Sequence, residues 1–347
     1  MMRLLISGGG TGGHLFPALA VARACRAERP QSAVLLVGKA GGPEERLVPE
    51  AGFDLATVPI RGFDRDAVWK NLALPGLLPA AIWKGAGIVS RFRPDVVLGM
   101  AGYAMTPAVI GARIKGVPYV LHEQNVAAGL ATRMFASGAA AICVTLPGAE
   151  RGLGGRRVEM TGLPLRPGFV PRTPPAPPRR LLITGGSQGA RRINQTVWAA
   201  LDALLERFQE VVHLTGRQGE EEARRYWRPR YRPITFADDM PAVLAGADAV
   251  VSRAGVGTMA EVTAVGLPLV LIPGTFGGGH QAANAAALVS AGAAIRLGDG
   301  ELSPESLIAA LDSPSADGWR RMAAASRALG RLDAAQRVLR VLDGVLA

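Results

Sequence analysis

His14 closes the run Gly8-Gly-Gly-Thr-Gly-Gly-His14. Glycines at this density leave backbone N–H groups able to turn toward an anion, and an imidazole at the end of such a turn can take a proton from a hydroxyl. A histidine that only caps its own loop gives the same pattern. A second polar group, His122-Glu123-Gln124-Asn125, directly follows the apolar run Tyr119-Val-Leu121. Four consecutive hydrogen-bonding residues leaving the carboxyl end of a strand suit a polyhydroxyl ligand, and His122 or Glu123 is there an alternative base to His14. The same residues equally suit a helix start with Asn125 as N-cap. His280 lies in the glycine-rich Gly277-Gly-Gly-His280, whereas His213 sits inside an apolar run and reads as structural.

The second half carries a matching set. Arg3-Leu-Leu-Ile-Ser-Gly-Gly returns at an offset of 177 as Arg180-Leu-Leu-Ile-Thr-Gly-Gly, and the tails then diverge: Gly10-Thr11-Gly12-Gly13-His14 against Ser187-Gln188-Gly189-Ala190-Arg191. Two loops of one design with different tails imply two units with different tasks in one reaction. Ser187-Gln188-Gly189 can wrap a diphosphate by backbone amides beside Arg191, at a helix N-terminus carrying roughly half a positive charge. Arg253-Ala-Gly-Val-Gly-Thr258 makes a further glycine-rich turn, and Glu261 one helical turn on can accept two ribose hydroxyls. Gln281 and Asn284 set two amide side chains on one helix face. Together these describe a nucleotide-diphosphate-sugar pocket. A dinucleotide fits poorly: Gly8, Gly10 and Gly13 have the G-x-G-x-x-G spacing, but Gly38 and Lys39 stand where an acidic ribose ligand is required. Asp64-Arg65-Asp66 has the spacing of a D-x-D metal clamp without ending a strand, so it reads as a solvated loop, and no metal or other cofactor is expected.

Such groups need parallel strands behind them. Apolar runs over 3–7, 33–37, 55–58, 96–99, 119–122 and 141–144, alternating with helical patterns, predict a doubly wound sheet; runs over 181–184, 211–215, 234–236, 249–252 and 269–272 predict a second. Seven prolines over residues 164–180 read as an extended linker. The expected organisation is therefore α/β, with an N-terminal domain over 1–163, the linker, a C-terminal domain over 181–330, and a last helix over 331–347 free to pack on the first domain. Two Rossmann-like domains of this kind face each other across a cleft.

Composition narrows the partners. A chain of 347 residues at 49% hydrophobic content can build two cores. Cys25 and Cys143 have neither disulfide nor metal-ligand spacing, as befits a reducing compartment. No run of 18 apolar residues occurs and Met1-Met2-Arg3 leads straight into a strand, so neither export nor a membrane span is expected. The net charge of +11 is concentrated in residues 1–170, where 19 Lys and Arg face 11 Asp and Glu. Aromatic content of 5% without a recognition motif argues against nucleic acid. A one-sided basic surface suits anionic lipid, and a general arginine-rich habit accounts for it as well.

At this resolution of detail the motifs resemble one family. Gly8 to His14, Pro94-Asp-Val-Val-Leu-Gly-Met100 with Gly102-Tyr103, Val120-Leu-His-Glu-Gln-Asn125, Gly185-Gly-Ser-Gln-Gly-Ala-Arg191, and Phe236-Ala-Asp-Asp-Met240 through Glu261 to Asn284 are similar, in order and over nearly the whole chain, to the MurG family. Those enzymes convert lipid I to lipid II in peptidoglycan synthesis, and so serve cell shape and division. The resemblance implies a GT-B fold, with undecaprenyl-linked acceptor held by the first domain and UDP-N-acetylglucosamine by the second. By position, Ser187, Gln188 and the amides of Gly257 and Thr258 would meet the donor diphosphate. Glu261 would hold the ribose, Arg253 with the backbone near Ala237 the uracil, and Gln281 with Asn284 the sugar. Gly10, Thr11, His14, Tyr103 and Asn125 would line the acceptor, with Thr11, Gly12, Gly13 and Asn125 also contributing to donor binding. Arg166 would approach the donor from between the domains. Two departures stand out: Leu163 where the family commonly has Asn, and His280 where it usually has a first glutamine.

The implied mechanism is a single inverting displacement by the muramoyl C4 hydroxyl, with His14 as the base. The acceptor lies in a bilayer, and residues 63–93 mix Trp69, Leu74, Leu77, Leu78, Ile82 and Trp83 with Lys70, Lys84 and several arginines. An apolar stripe flanked by cations reads as a peripheral face for anionic inner-leaflet lipid on the cytoplasmic side of the cell membrane, within a cell-wall synthesis complex. Packing of a helix on the core explains the same apolar residues. A UDP-N-acetylglucosamine 2-epimerase, another lipid glycosyltransferase or a non-catalytic scaffold of the same fold are the rival readings.

Overall fold

The computed structural model describes residues 1–10, 12–62, 74–154, 157–186, 188–275 and 279–347, with the backbone alone for 74, 75, 77 and 218. The chain forms two compact units, Met1–Pro167 with Leu332–Ala347, and Gly168–Arg331.

In the first unit, strands and helices alternate as β1 (Arg3–Ser7), α1 (Gly12–Glu28), β2 (Ala33–Lys39), α2 (Glu44–Glu50), β3 (Asp54–Val58), α3 (Leu74–Phe92), β4 (Val96–Gly99), α4 (Thr106–Lys115), β5 (Tyr119–Glu123), α5 (Leu130–Ala136), β6 (Ala141–Val144) and β7 (Val158–Met160). Among the described residues these strands make a seven-stranded sheet in the order β3-β2-β1-β4-β5-β6-β7, every pair parallel. The central strands are apolar on both faces because helices cover both, the reason their sequences run Leu-Leu-Ile and Val-Val-Leu without alternation. Connections leave β1 to one side and β4 to the other, so a crevice opens at their carboxyl ends, where the loops after Ser7 and Gly99 emerge. Short, half-exposed β7 escaped the sequence reading because Val-Glu-Met carries no strand pattern of its own.

The second unit repeats the plan as β8 (Arg180–Thr184), α6 (Arg191–Ala199), α7 (Leu201–Arg207), β9 (Glu210–Leu214), α8 (Glu220–Ala223), β10 (Tyr231–Ile234), α9 (Met240–Ala245), β11 (Ala249–Ser252), α10 (Val256–Val265), β12 (Leu269–Leu271), α11 (His280–Ser290), β13 (Ala294–Arg296), α12 (Pro304–Asp312) and α13 (Ala316–Leu329). Its parallel sheet runs β10-β9-β8-β11-β12-β13. The strand expected over 234–236 lies three residues earlier, with Pro233 inside it; β10 is an edge strand bonded only to β9, and an edge tolerates the missing N–H. Finally α14 (Ala334–Leu346) belongs to the first unit, where Val338, Leu339, Val341 and Leu342 join the core formed by α1 and the sheet.

The proline-rich stretch is divided between the units at Pro167 and Gly168. Residues 168–180 have few backbone partners of their own and are held instead by Asp248, whose buried carboxylate accepts from Arg172 Nη2 (2.6 Å), Arg180 Nη2 (3.3 Å) and the amides of Arg179 (3.1 Å) and Arg180 (2.9 Å). A buried carboxylate with four donors is satisfied, and here it fastens the chain to the second unit.

Candidate functional site

The first unit's crevice is built from glycine. A Cβ on Gly8 would lie 2.6 Å from Met100 Cβ and one on Gly10 2.6 Å from Tyr103 Oη, and Gly10 has φ of +81°, so neither position accepts a side chain without rearrangement. The sequence suggested that this loop offers its amides to an anion, and at two of them the structure shows otherwise. Gly8 N donates to Val37 O at 3.2 Å, and the Gly10 amide donates to Oε1 of Glu44, the first residue of α2. Glu44 is 0% exposed, and its Oε2 has no hydrogen-bond partner. The loop therefore carries an internal carboxylate. Its signal in the sequence is a pair of carboxylates, Glu44-Glu45, directly after Gly41-Gly-Pro43, where a helix begins.

Three candidate bases separate by environment. Glu123 is buried and spends both oxygens on the chain ahead of it: Oε1 accepts from Gln124 N (2.9 Å) and Asn125 N (3.0 Å), Oε2 from Gly129 N (3.1 Å). His122 is completely buried, and its Nε2 bonds to Gly162 O at 3.0 Å, which makes Nε2 the protonated nitrogen because a carbonyl only accepts. Burial pushes this imidazole below the usual histidine range, against the smaller upward pull of the Gly162 carbonyl. His14, in the first turn of α1, keeps part of its surface open. Its ring lies against Gly102, where a Cβ would sit 2.9 Å from Nε2, and burial lowers its proton affinity while Gln124 and Glu123 raise it. Glu123 is thus committed to holding backbone, and so is His122 through Nε2, while His122 Nδ1 is buried without a hydrogen-bond partner.

Beside His14 lie other first-unit residues assigned to the acceptor or the donor. Gly12 and Gly13 open α1, Tyr103 is half-buried with its phenol pushed up by burial and by the charge of Glu44, and Asn125 is half-buried in the loop that Glu123 organises. Thr11 lies outside the described residues. The Arg166 guanidinium stacks 5.9 Å from the centroid of Phe16, itself exposed on α1. Leu163, the first departure from the family pattern, is buried, and a buried amide there would need partners.

In the second unit the turn after β8 holds itself by Gly186 N to Thr184 Oγ1 (3.1 Å) and Gly189 N to Gly186 O (2.9 Å), with Gln188 exposed at its tip. Ser187 and Gly277-Gly278 lie outside the described residues. Gly257 and Thr258 occupy the first turn of α10, partly open, and half-buried Glu261 follows one turn later. Ala237 is half-buried after β10. Two assignments take a different form from the one expected. Arg253 was expected at the uracil, but its Nη1 donates to Ile272 O (3.1 Å) and pairs with Asp299 Oδ1 at 2.5 Å, because a nearly buried cation draws in the nearest carboxylate. Gln281 Oε1 accepts from Gly274 N (2.8 Å), and buried Asn284 donates from Nδ2 to Ala254 O (3.3 Å), so these amides brace the two turns beside them. His280 is the first residue of α11. Asp299, unnoticed in the sequence, is the partner that orients Arg253.

The proposed membrane face divides in two. Ala81, Ile88 and Val89 of α3 are buried, and a Cβ on Gly111 would lie 2.9 Å from Ala86 Cα, so one side of α3 packs closely on α4. Leu78, Trp83 (83% exposed) and Lys84 face solvent, with Ile82 half-buried. Trp69 and Lys70 lie outside the described residues, as do the side chains of Leu74 and Leu77. Core packing therefore accounts for some of the apolar stripe and leaves Leu78 and Trp83 unexplained by it. Among the described residues no helix is long and apolar enough to cross a membrane, and no cluster of His, Cys, Asp and Glu is arranged for a metal; Asp64 and Asp66 fall outside them.

Residues 4–144 match the glycosyltransferase family 28 N-terminal domain and residues 180–338 the glycosyltransferase family 28 C-terminal domain. The UDP-N-acetylglucosamine–N-acetylmuramyl-(pentapeptide) pyrophosphoryl-undecaprenol N-acetylglucosamine transferase of Syntrophotalea carbinolica is 40% identical over 358 residues, covering 99% of each chain. Its counterpart in Paenarthrobacter aurescens is 39% identical over 365 residues, covering 100% of this chain and 97% of its own. The crystal structure of MurG from Acinetobacter baumannii superposes with a TM-score of 0.79 at 25% identity, over 99% of this chain and 100% of that one.

Proposed function

The chain belongs to the MurG family of UDP-N-acetylglucosamine–N-acetylmuramyl-(pentapeptide) pyrophosphoryl-undecaprenol N-acetylglucosamine transferases, and on that premise we propose how its residues divide the reaction. It is an inverting N-acetylglucosaminyltransferase of GT-B fold, moving N-acetylglucosamine from UDP-N-acetylglucosamine to lipid I in peptidoglycan synthesis.

The first unit binds the acceptor and supplies the base. His14 takes the proton of the muramoyl C4 hydroxyl as that oxygen attacks the anomeric carbon; the bond from that carbon to the diphosphate oxygen breaks, and UDP leaves with the electron pair. The observation that carries this assignment is the contrast among the three candidates: Glu123 and His122 are fully buried and bonded to backbone, and His14 is only half-buried beside the crevice between β1 and β4. Burial keeps its imidazole neutral near pH 7, the form a base requires. Tyr103, Asn125 and Gly10 line the acceptor beside it, with Thr11, Gly12 and Gly13 toward the donor sugar.

The second unit binds the donor. The turn bearing Ser187 and Gln188, with the amides of Gly257 and Thr258 at the start of α10, receives the diphosphate and the charge that develops on it, as preorganised donors at helix N-termini do. Glu261 holds the ribose, Ala237 offers backbone to the uracil, and Arg166 approaches the donor. Arg253, Gln281 and Asn284 act through the turns they brace as much as by touching ligand. With the leaving charge met by amides, the reading needs no metal. Leu78, Trp83 and Lys84 seat the first unit on anionic lipid, and the enzyme works as a peripheral protein at the cytoplasmic face of the membrane; the exposure of Leu78 and Trp83 supports this reading. The test is UDP release from UDP-N-acetylglucosamine with and without a lipid I analogue, in chelator: release that requires the analogue and survives the chelator supports the reading, and release without acceptor overturns it.

A further inference from the structure

The hydrogen bonds around His213 run in a single direction. At one end Trp198 Nε1, which only donates, lies 2.9 Å from Tyr231 Oη. At the other end Asn194 Nδ2 donates to Thr215 O at 2.8 Å, a carbonyl that only accepts, and this orients the Asn194 oxygen toward His213 Nε2 at 3.1 Å. Nε2 therefore carries the proton. Nδ1, 2.9 Å from Tyr231 Oη, is then a lone pair, and the tyrosine hydroxyl donates to it. The relay reads Trp198 to Tyr231 to His213 to Asn194 to Thr215, with one donor and one acceptor at every joint. It is buried throughout, and Tyr226 stacks in parallel on Trp198 with ring centroids 5.0 Å apart. Burial pushes His213 down to about 3, so the ring stays neutral and the direction holds across the range in which an enzyme works.

The far end of this relay leaves the core. Thr215 and Gly216 follow β9 at its carboxyl end and back directly onto the turn between β8 and α6: a Cβ on Gly189 (φ +80°) would strike Thr215 O, and one on Gly216 (φ +71°) would strike Gly189 N. Asn194 itself sits on α6, the helix that this turn begins, and Gly219 also abuts its Nδ2. One side chain thus fixes the helix, the carbonyl behind the turn, and through them the turn's backbone. In sequence His213 reads as a structural residue of an apolar strand; the fold ties it to Gly189 and the turn after β8.

We propose that His213 is a positioning residue for the donor diphosphate, its relay holding residues 185, 186 and 188–190 of the turn after β8 in the conformation that receives UDP. This rests on the assignment of that turn to the donor. The step needs no proton to move: a neutral, fully satisfied network costs nothing to reorganise while the leaving charge develops, whereas a broken joint leaves a buried polar atom unpaired and the turn free to shift.

The test measures UDP affinity by calorimetry together with KM for UDP-N-acetylglucosamine, KM for a lipid I analogue, and the melting temperature. His213→Leu removes both joints and should weaken UDP binding and raise the donor KM about tenfold, with the acceptor KM within about twofold. His213→Gln restores a donor where Nε2 stands and should keep UDP affinity within about threefold of the parent. Asn194→Asp places an oxygen against Thr215 O and should weaken UDP as His213→Leu does, which keeps the question answerable where the leucine variant does not fold. Leu204→Ala, in the same buried core but with no hydrogen bond to the relay, should lower the melting temperature and leave UDP affinity unchanged. Folded His213→Leu or Asn194→Asp protein with parental UDP affinity overturns the proposal, as does Leu204→Ala weakening UDP equally. Gly189→Val tests the underlying assignment: parental UDP affinity there removes the turn from the donor site, whatever the relay variants do.

Discussion

The fully buried carboxylate of Glu44 accepts the backbone amide of Gly10, across 34 residues of sequence. The two meet because β1 and β2 are neighbours, so the loop after Ser7 and the helix that follows Lys39 share one end of the sheet. Gly9, Gly38 and Gly42 each have Glu44 as the nearest obstacle to a Cβ, which means the carboxylate is enclosed by glycine backbone on several sides. A charge in such a place organises the loop more than it serves a ligand. Glu44→Ala should therefore lower stability by about 1–3 kcal/mol, the cost of an unpaired buried amide, and raise the acceptor KM while UDP affinity holds. Urea unfolding and the two binding constants check this; a parental unfolding midpoint, or an equal loss of UDP affinity, contradicts it.

His14→Ala should depress turnover about 10²- to 10⁴-fold with UDP affinity nearly unchanged. The parent's pH profile carries its own signature. Because burial lowers the His14 pKa, the base is neutral at pH 7, and the rate should fall only when the pH drops through a value below 6.5. An acid limb in kcat/KM that survives His14→Ala would assign the limb, and the base, to another group.

Much of this arrangement was legible in the sequence, and for definite reasons. Leu-Leu-Ile followed by glycines announces a buried parallel strand that must turn at its carboxyl end, so β1 and β8, and with them the two glycine-rich turns, could be placed from pattern alone. What pattern conceals is pairing at a distance. His122 and Glu123 each look like an alternative base in sequence, and only the fold brings Gly162 to one and the amides of residues 124, 125 and 129 to the other. Arg253 likewise reads as a ligand contact until Asp299 arrives from 46 residues away. The charged partners that decide an orientation, Glu44 and Asp299, sit in short helices and turns with no periodicity to mark them.

Glu123 offers a direct comparison of the two roles. As an organiser of three amides it should be costly to lose: Glu123→Ala is expected to destabilise the protein by about 1–3 kcal/mol and to loosen the loop that carries Asn125. Glu123→Gln keeps an oxygen for two of the three amides, so it should retain more of the stability and more of the activity. A general base would behave differently, since the amide is as inert as the methyl in proton transfer; equal loss of kcat in both variants, with stability preserved, would return Glu123 to the catalytic role.

On α3 the exposed Trp83 and Lys84 stand side by side opposite the packed face. A basic residue close to an anionic bilayer contributes about 1 kcal/mol, so Lys84→Ala should weaken binding to vesicles containing anionic lipid about fivefold, and Trp83→Ala should weaken it irrespective of lipid charge. Co-sedimentation across two lipid compositions separates the electrostatic from the apolar share. Unchanged binding in both variants would take this face away from the membrane.

The buried histidines set the response to acid. His213 is held at about 3 by burial, against 6.5 for an unperturbed imidazole, and burial lowers His122 and His14 in the same direction. Between the folded and unfolded values the unfolded chain binds the extra proton, so stability rises with pH across that window; it is fully present above about 6.5 and is lost as the pH falls toward 3. For His213 alone the loss amounts to about 2 kcal/mol by pH 5. Neutral His213 is also what the relay to Thr215 requires, since a second ring proton would leave the Tyr231 hydroxyl without an acceptor. Urea midpoints measured from pH 5 to 7.5 should therefore climb in the parent and climb less steeply in His213→Gln, whose side chain does not titrate. Parallel slopes in the two proteins would mean that His213 charges without cost in the fold, which its burial among Tyr231 and Asn194 does not allow.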